Sequence, residues 1–250
     1  SSSTNTAEKN IAVGTTALDA ITTGDHNVAV GNNSLTNTTT GSSNTGIGSQ
    51  ALQTNTSGSF NTGVSNGALY LNTTGSNNVA VGYDALGANT TASFNTATGA
   101  YSLNKTTTGA ANTAVGSYAL RYNTEGSSNT ALGSSAGSVI TTGSNNVILG
   151  YGSNPSGVAA SNQIVIGQGA TGHGDNIAVI GNADMTAWHP ADNNGVDLGS
   201  SNYKFKDLYV DGTANVDALN LNGTAVSATA AELNIMDGVT ATAAELNIMD

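Results

Sequence analysis

Side chains that could perform catalysis or bind a metal are few and widely spaced in this chain. It has three histidines, His26, His173 and His189, and none of them has another histidine at the spacing of a zinc site. His173 is followed by Asp175 and His189 by Asp192, but both pairs fit polar loops better than an acid–base site. We therefore expect no bound metal ion.

The glycine and charge patterns contain no recognisable catalytic or phosphate-binding motif. No G-x-S-x-G elbow lies in a strand–turn–helix context, and no nucleotide-binding fingerprint occurs. Residues 27–170 contain only four charged side chains, Asp84, Lys105, Arg121 and Glu125, and these suggest no acid–base pair. A polysaccharide depolymerase would need clustered carboxylates, of which the chain offers too few. We expect a protein that is not an enzyme and uses no cofactor.

Aromatic residues are the remaining candidates for ligand contacts. Exposed rings can stack on sugars, whereas rings packed between chains or between neighbouring segments would only stabilise the structure. The sequence leaves both alternatives open, with packing as the more common role. The surface-binding candidates are Tyr83, Tyr101, Tyr118 and Tyr122.

Composition limits the class of protein. Charged residues make up 8% of the 250 residues, against roughly 25% in an average soluble protein. The net charge is −11 with only five lysines and arginines, so we expect no binding to nucleic acid. No apolar run approaches the roughly 20 residues of a membrane span, so we expect no membrane insertion. The absence of cysteine fits an extracellular or virion protein, and the start at Ser-Ser-Ser-Thr predicts a fragment or processed product.

An asparagine that recurs at a constant interval defines a 17-residue repeat. Nine units follow without insertion over residues 10–162, and an imperfect tenth begins at Gln163 with QIVIG. We number the positions in each unit from 1, the asparagine, to 17. Position 1 is occupied by Asn10, Asn27, Asn44, Asn61, Asn78, Asn95, Asn112, Asn129 and Asn146. A fixed period is typical of repeat architectures, and we expect these asparagines to bond to the backbone at a turn.

Residue types within each unit predict a short β-strand followed by a turn. Positions 2 and 4 carry mainly Val, Ile, Thr and Leu and share one face, while position 3 is small and lies on the other. Position 5 is glycine in eight of nine units, with Ser65 as the exception, which suits a turn with positive φ. We expect position 4 to form the structural core. Its apolar members are Val13, Val30, Ile47, Val64, Val81, Val115, Leu132 and Leu149.

Leucines at position 9 form a second apolar column. Because a core of about three residues per unit is marginal against chain entropy, we expect the leucines to contact another chain. These inter-chain candidates are Leu18, Leu35, Leu52, Leu69, Leu86, Leu103 and Leu120. Threonines at position 13 lead into a glycine column at position 15, which favours a turn over an exposed ice-binding row.

A 17-residue unit is too short for a helix pair or a propeller blade. One strand, a second short apolar segment and two glycine turns fit one coil of a parallel β-solenoid, or β-roll. Like residues then stack on like residues at about 4.8 Å along the axis. We therefore predict an all-β fold, with an N-terminal tail over residues 1–9 and a β-roll over residues 10–183.

The last coils and the segment after them depart from this pattern. NIAVIG at 176–181 follows QIVIG at 163–167 by less than one full period, so we expect the cross-section of the roll to change there. Residues 184–224 are richer in charged and aromatic residues and predict a small β-rich connector, with a strand over 203–210.

Residues 225–250 carry a second repeat, with a 13-residue step. Capping boxes at 229–232 and 242–245 predict short helices, each marginal on its own. Leu233 and Met236 have the spacing of neighbours on one face of a helix, and are the remaining inter-chain candidates.

The repeat units resemble those of known fibrous proteins. NVAVGYDAL with TTGSN is similar to the head repeats of trimeric autotransporter adhesins, which form trimeric left-handed parallel β-rolls. The units look even more like Thr/Asn-rich repeats of phage tail fibres. DLGSSNYKFKDLYVDGTANV at 197–216 and ATAAELNIMDGVTATAAELNIMD at 228–250 also resemble phage fibre segments.

This resemblance implies a homotrimer of rolls packed side by side in a virion tail fibre, and hence an extracellular location. The implied function is structural: a rigid trimeric roll contributes to host attachment. The implied partners are other copies of the chain, other virion tail proteins, and a glycan or protein of the host surface. The alternative is the head of a bacterial trimeric autotransporter adhesin at the bacterial cell surface.

Overall fold

The computed structural model describes residues 5–189, 198–213, 220–221 and 224–225. In these residues all regular secondary structure is β-strand, and no helix occurs. The chain divides into two compact units, Ser1–Trp188 and His189–Asp250. The first unit contains the 17-residue repeats.

Eleven three-residue strands form one parallel sheet, in which neighbours along the chain are neighbours in space. From the first to the tenth, the strands follow one another at the period of the repeat, and each pairs in register with the one before it. The predicted parallel β-solenoid is therefore confirmed. The strands are β1 (Ile11–Val13), β2 (Val28–Val30), β3 (Thr45–Ile47), β4 (Thr62–Val64), β5 (Val79–Val81), β6 (Thr96–Thr98), β7 (Thr113–Val115), β8 (Thr130–Leu132), β9 (Val147–Leu149), β10 (Ile164–Ile166) and β11 (Ala178–Ile180).

The last coil is shorter than the others, which confirms the predicted change of cross-section. β11 pairs Ala178 with Ile164, so one turn of the solenoid is completed there in fewer residues than the repeat period. Asn176 consequently falls beside Asn162, whose Nδ2 donates to Asn176 Oδ1 at 2.8 Å, and not in the column of the asparagines that open the earlier coils.

The interior of the solenoid holds position 3 of each strand, and the prediction that position 4 forms the core is wrong. Ala80 is fully buried between Val79 and Val81, which are 36% and 38% exposed. Lack of room is the physical reason, since a Cβ at Gly46 would lie 2.6 Å from Ser34 Oγ. Exposed or half-buried, instead of buried, are Val13, Val30, Ile47, Val64, Val81, Val115, Leu132 and Leu149.

The leucines at position 9 form the core of the coils, so their predicted role as inter-chain contacts is also wrong. Their φ angles lie between 49° and 55°, in the left-handed region. That conformation costs roughly 1–2 kcal/mol per residue, but burying a leucine side chain contributes about 1.5–3 kcal/mol. All but the first are fully buried: Leu18 (5% exposed), Leu35, Leu52, Leu69, Leu86, Leu103 and Leu120.

The asparagines at position 1 bond to the backbone, as predicted, and also to one another. Asn44 Nδ2 donates to the Gly58 carbonyl oxygen at 2.9 Å, within the same coil. The backbone N–H and Nδ2 of Asn44 both donate to Asn27 Oδ1 in the preceding coil, at 2.9 and 3.1 Å. This pattern recurs along the stack and pairs amides that burial would otherwise penalise.

The glycines at position 5 are required by both conformation and space. Gly31 has a φ of 140°. A Cβ on Gly31 would lie 2.4 Å from the Gly48 carbonyl oxygen of the next coil. Ser65 is the exception in this column and has a φ of 111°, which stores strain.

The second unit shows little regular structure in its described residues. Residues 198–213 contain no strand, so the predicted strand over 203–210 is wrong. An antiparallel ladder joins β12 (Asn220–Leu221) to β13 (Thr224–Ala225). The predicted helices, with Leu233 and Met236, lie outside the described residues.

Candidate functional site

The outer side of the solenoid sheet carries a row of largely apolar side chains, which Thr96 and Thr98 interrupt at β6. We call the outward residues at positions 2 and 4 of β1–β11 the valine face. Val13 and Leu132 are exposed to 58% and 52%, and Ile11 and Ile164 to 55% and 43%. Because the strands stack in one sheet, these side chains form one stripe along the solenoid axis. Contiguous exposed apolar surface of this kind makes the valine face a candidate interaction site.

The threonine column at position 13 has a structural role. Thr56 Oγ1 donates to the Thr73 carbonyl oxygen of the next coil at 3.0 Å, and Thr73 Oγ1 donates to Thr90 in the same way at 2.9 Å. The hydroxyl groups therefore bond along the axis within the chain, which disfavours the ice-binding alternative.

A second surface gathers aromatic and charged side chains from neighbouring coils at positions 6, 7, 10 and 11. All four tyrosines selected from the sequence lie on it, half-buried or exposed. Three of the four charged residues in 27–170 lie on it too; the fourth, Glu125, is at position 14. We call this surface the tyrosine face; it comprises Tyr70, Tyr83, Asp84, Tyr101, Asn104, Lys105, Tyr118, Arg121 and Tyr122.

Three of the tyrosine rings contact one another in a continuous row along the axis. The Tyr101 and Tyr118 rings are nearly parallel, with centroids 5.3 Å apart. The Tyr83 ring meets Tyr101 edge-on at 5.2 Å. Desolvation, followed by the neighbouring Tyr83, raises the pKa of Tyr101.

Arg121 lies at the centre of the tyrosine face. Its Cζ is 4.9 Å from the centroid of the Tyr118 ring, 5.2 Å from Tyr122 and 5.3 Å from Tyr101. Its Nε is buried and has no hydrogen-bond partner among the described residues. The one ion pair of those residues, Lys206 with Asp207, lies elsewhere. Aromatic rings thus hold this guanidinium group, with no carboxylate paired to it in the described part of the chain.

The tyrosine face also contains a shallow depression of about 210 Å³, which extends to Asn104, the position-10 residue of the coil before that of Arg121. Gly87 lies in its lining at position 10, where the adjacent coils carry Tyr70 and Asn104. A Cβ on Gly87 would lie 2.2 Å from Asp84 Oδ1, so the glycine leaves room for that carboxylate. Asn104 Nδ2 donates to Asp84 Oδ2 at 2.8 Å and orients it, and Lys105 also lines the depression.

Sequence reasoning selected the tyrosines but missed Arg121, Asp84, Asn104 and Gly87. The signal was present in the sequence: in a repeat almost free of charge, three charged residues fall at positions 7, 10 and 11 of adjacent units. Stacking the units in register brings those positions together.

The histidine–acid pairs do not form a second site in the described residues. Asp175 accepts hydrogen bonds from the Ser161 N–H at 2.8 Å and from Gln163 Nε2 at 3.2 Å. The bond from Ser161, and then that from Gln163, lowers the pKa of Asp175, so this carboxylate links the last two coils. Asp192, the expected neighbour of His189, lies outside the described residues. Where the structure describes the chain, no three His, Cys, Asp or Glu side chains cluster as metal ligands would.

Comparisons with known proteins assign no family. No protein-family model matches the chain, and no similar curated protein is found. Among the described residues there is no helix with the length and apolar character needed to cross a membrane.

Proposed function

We propose that this chain is a structural, non-enzymatic fibre protein of a phage tail, that it forms a homotrimer, and that it contributes to host attachment. The exposed valine face is the observation that carries the proposal. A largely apolar stripe along the sheet is unfavourable in water and favours burial against further copies of the same chain.

Burial of the position-9 leucines and exposure of the position-4 residues decide which side chains would join the chains. The leucines fill each coil, so the side chains left for a neighbouring copy are those of the valine face, such as Val64 and Val81. Three rolls would turn their valine faces toward a common axis and leave the tyrosine faces available to other partners. The trimer itself is inferred from the resemblance of the repeat units to phage fibres and adhesin heads.

Attachment by such a fibre would depend on several identical binding surfaces, one on each copy of the chain. Three copies of one surface at fixed spacing can bind a host glycan or protein several times at once. Weak single contacts then add up through effective concentration. Other virion tail proteins would hold the fibre on the particle.

The head of a bacterial trimeric adhesin remains the second candidate, because NVAVGYDAL with TTGSN is similar to adhesin head repeats. Mass spectrometry separates the two proposals. Detection of the chain in purified phage particles supports the tail fibre, and detection only in a bacterial envelope fraction supports the adhesin.

Light scattering tests the trimer. We expect the purified chain to have three times the mass of one chain, and the double variant Val64→Asp/Val81→Asp to have the mass of one chain, because buried carboxylates would destabilise the interface. The double variant Thr74→Asp/Thr91→Asp places the same two charges at exposed positions 14 of the coils that contain Val64 and Val81, and it should leave the mass unchanged. A wild-type chain that is a stable monomer would contradict the proposal.

A further inference from the structure

We infer that the tyrosine face is a binding site for an anionic saccharide, in which an acidic group of the sugar pairs with Arg121. This inference names the ligand class for the attachment proposed above and rests on that proposal. It comes from four observations on one patch: the ring stack, the guanidinium group held by rings, the depression at Gly87, and the local concentration of charge.

The sign of the charge favours an anion at this surface. The whole chain carries −11, yet the tyrosine face combines Lys105 and Arg121 with a single acid, Asp84. Asp84 already accepts from Asn104, which occupies part of its hydrogen-bonding capacity. The tyrosine face thus holds both cationic side chains of residues 27–170 with one acid, a local net charge of +1, and it attracts an anion although the chain as a whole is acidic.

The geometry of Arg121 suits an oxyanion more than a neutral group. A guanidinium group presents paired N–H donors that match carboxylate or sulfate oxygens. The rings of Tyr101, Tyr118 and Tyr122 hold the group in place, so an incoming anion would lose less side-chain freedom on binding.

The tyrosine rings and the depression suit a sugar more than an isolated ion. Exposed rings such as Tyr118 and Tyr122 offer flat apolar surfaces to the C–H faces of a sugar. At Gly87 the column loses its side chain, and Asp84, Asn104 and Lys105 offer acceptors and donors around the space that remains. One ring of a saccharide would lie in this depression while the acidic group of the next ring meets Arg121.

Backbone conformation allows one variant to separate binding from stability. Position 7 is left-handed in these coils, with φ of 58° at Tyr101 and 62° at Tyr118, as it is in the other coils of the repeat. Asn33 occupies this position in another coil, and asparagine tolerates the left-handed region better than tyrosine. Replacing Tyr118 by asparagine therefore removes a ring from the face without adding backbone strain.

Calorimetric titration of the full chain tests the inference with three probes: oligogalacturonate, which carries carboxylates, dextran sulfate oligomers and neutral dextran oligomers. We expect binding of one or both acidic probes and at least tenfold weaker binding of neutral dextran. The two acidic arms tell whether carboxylate or sulfate is the preferred group.

Variants test whether the acidic probe binds at the tyrosine face. Arg121→Gln and Gly87→Gln, the latter introducing the residue that Gln53 supplies in the same column, should each weaken binding of the acidic probe at least tenfold. Arg121→Lys should also weaken it, because the charge remains but the paired donors are lost. Glu125→Gln, which removes the charged residue outside the face, should leave the affinity within twofold. Tyr118→Asn should weaken binding while the melting temperature stays equal or rises.

Two results would overturn the inference: no binding of either acidic probe at millimolar concentration, or equal affinity in wild type and Arg121→Gln. Either would leave the proposed fibre intact if light scattering still gives the mass of three chains. A monomeric wild type would instead count against the fibre, whatever the titrations show.

Discussion

The inside of the coils and the tyrosine face differ in how much their residue types vary from coil to coil. Inside, positions 1, 3 and 9 repeat through the first seven coils, because each side chain must fit the same narrow space and continue the same ladder. On the tyrosine face, positions 7, 10 and 11 vary, and four neighbouring coils place tyrosine, arginine and lysine there, whereas the coils on either side carry no aromatic or basic residue at these positions. Constant columns therefore reflect the requirements of folding, and local departures on the surface indicate candidate binding residues.

Breaking an inner column should have the largest effect on stability. Leu86→Ala removes most of a fully buried side chain and should lower the free energy of unfolding by about 2–5 kcal/mol. Thermal or denaturant unfolding followed by circular dichroism measures it. Thr91→Ala, at the exposed position 14 of the same coil, serves as the control and should change stability by about 1 kcal/mol or less. An unchanged Leu86→Ala would mean that the leucines are not the core.

Completing the asparagine ladder at position 12 should raise the free energy of unfolding. At position 12, Asn72 Nδ2 donates to Asn55 Oδ1 and Asn89 Nδ2 to Asn72 Oδ1, but Thr106 interrupts this ladder. Asn89 Oδ1 is consequently buried without a hydrogen-bond partner. Thr106→Asn should supply the missing donor and stabilise the fold by about 1–2 kcal/mol in the same unfolding experiment.

Thr38→Asn is the matched control for this repair. It makes the same substitution in the same column, but the preceding coil has Ile21 there and no amide oxygen to satisfy. Its gain should be clearly smaller than that of Thr106→Asn, and equal gains would show that pairing of Asn89 is not the cause.

Replacing Ser65, the exception in the glycine column, should have the smallest effect on stability. Ser65→Gly removes a side chain from a backbone with φ of 111° and should stabilise the fold by about 0.5–1 kcal/mol, since the strain relieved exceeds the added chain entropy. Ser57→Gly, in the preceding coil and without positive φ, should destabilise by a similar amount. A loss of stability in Ser65→Gly would indicate that the serine side chain makes a stabilising contact.

Much of the fold follows from local rules applied to one repeated unit. The 17-residue period predicts the stacking, the Val-Ala-Val pattern predicts the strand, and Gly82 predicts the turn after it. Asn78 at the start of that unit was expected to bond the backbone, and its Nδ2 donates to the Ala92 carbonyl oxygen at 2.9 Å. Each of these inferences depends only on residues within one or two coils.

The sequence by itself determined that this is an all-β solenoid, where its coils begin, and where its surface stops being uniform. Only the tertiary structure decided which side of the strand is the inside. Alternation shows that Val79 and Val81 share a face, but it does not say whether that face meets the core or the solvent. The left-handed backbone of Leu86 turns that leucine into the coil and leaves room there only for Ala80. The contact of Arg121 with Tyr101 depended equally on stacking, because it joins side chains of neighbouring coils, whereas Tyr118 and Tyr122 lie in the same coil as Arg121.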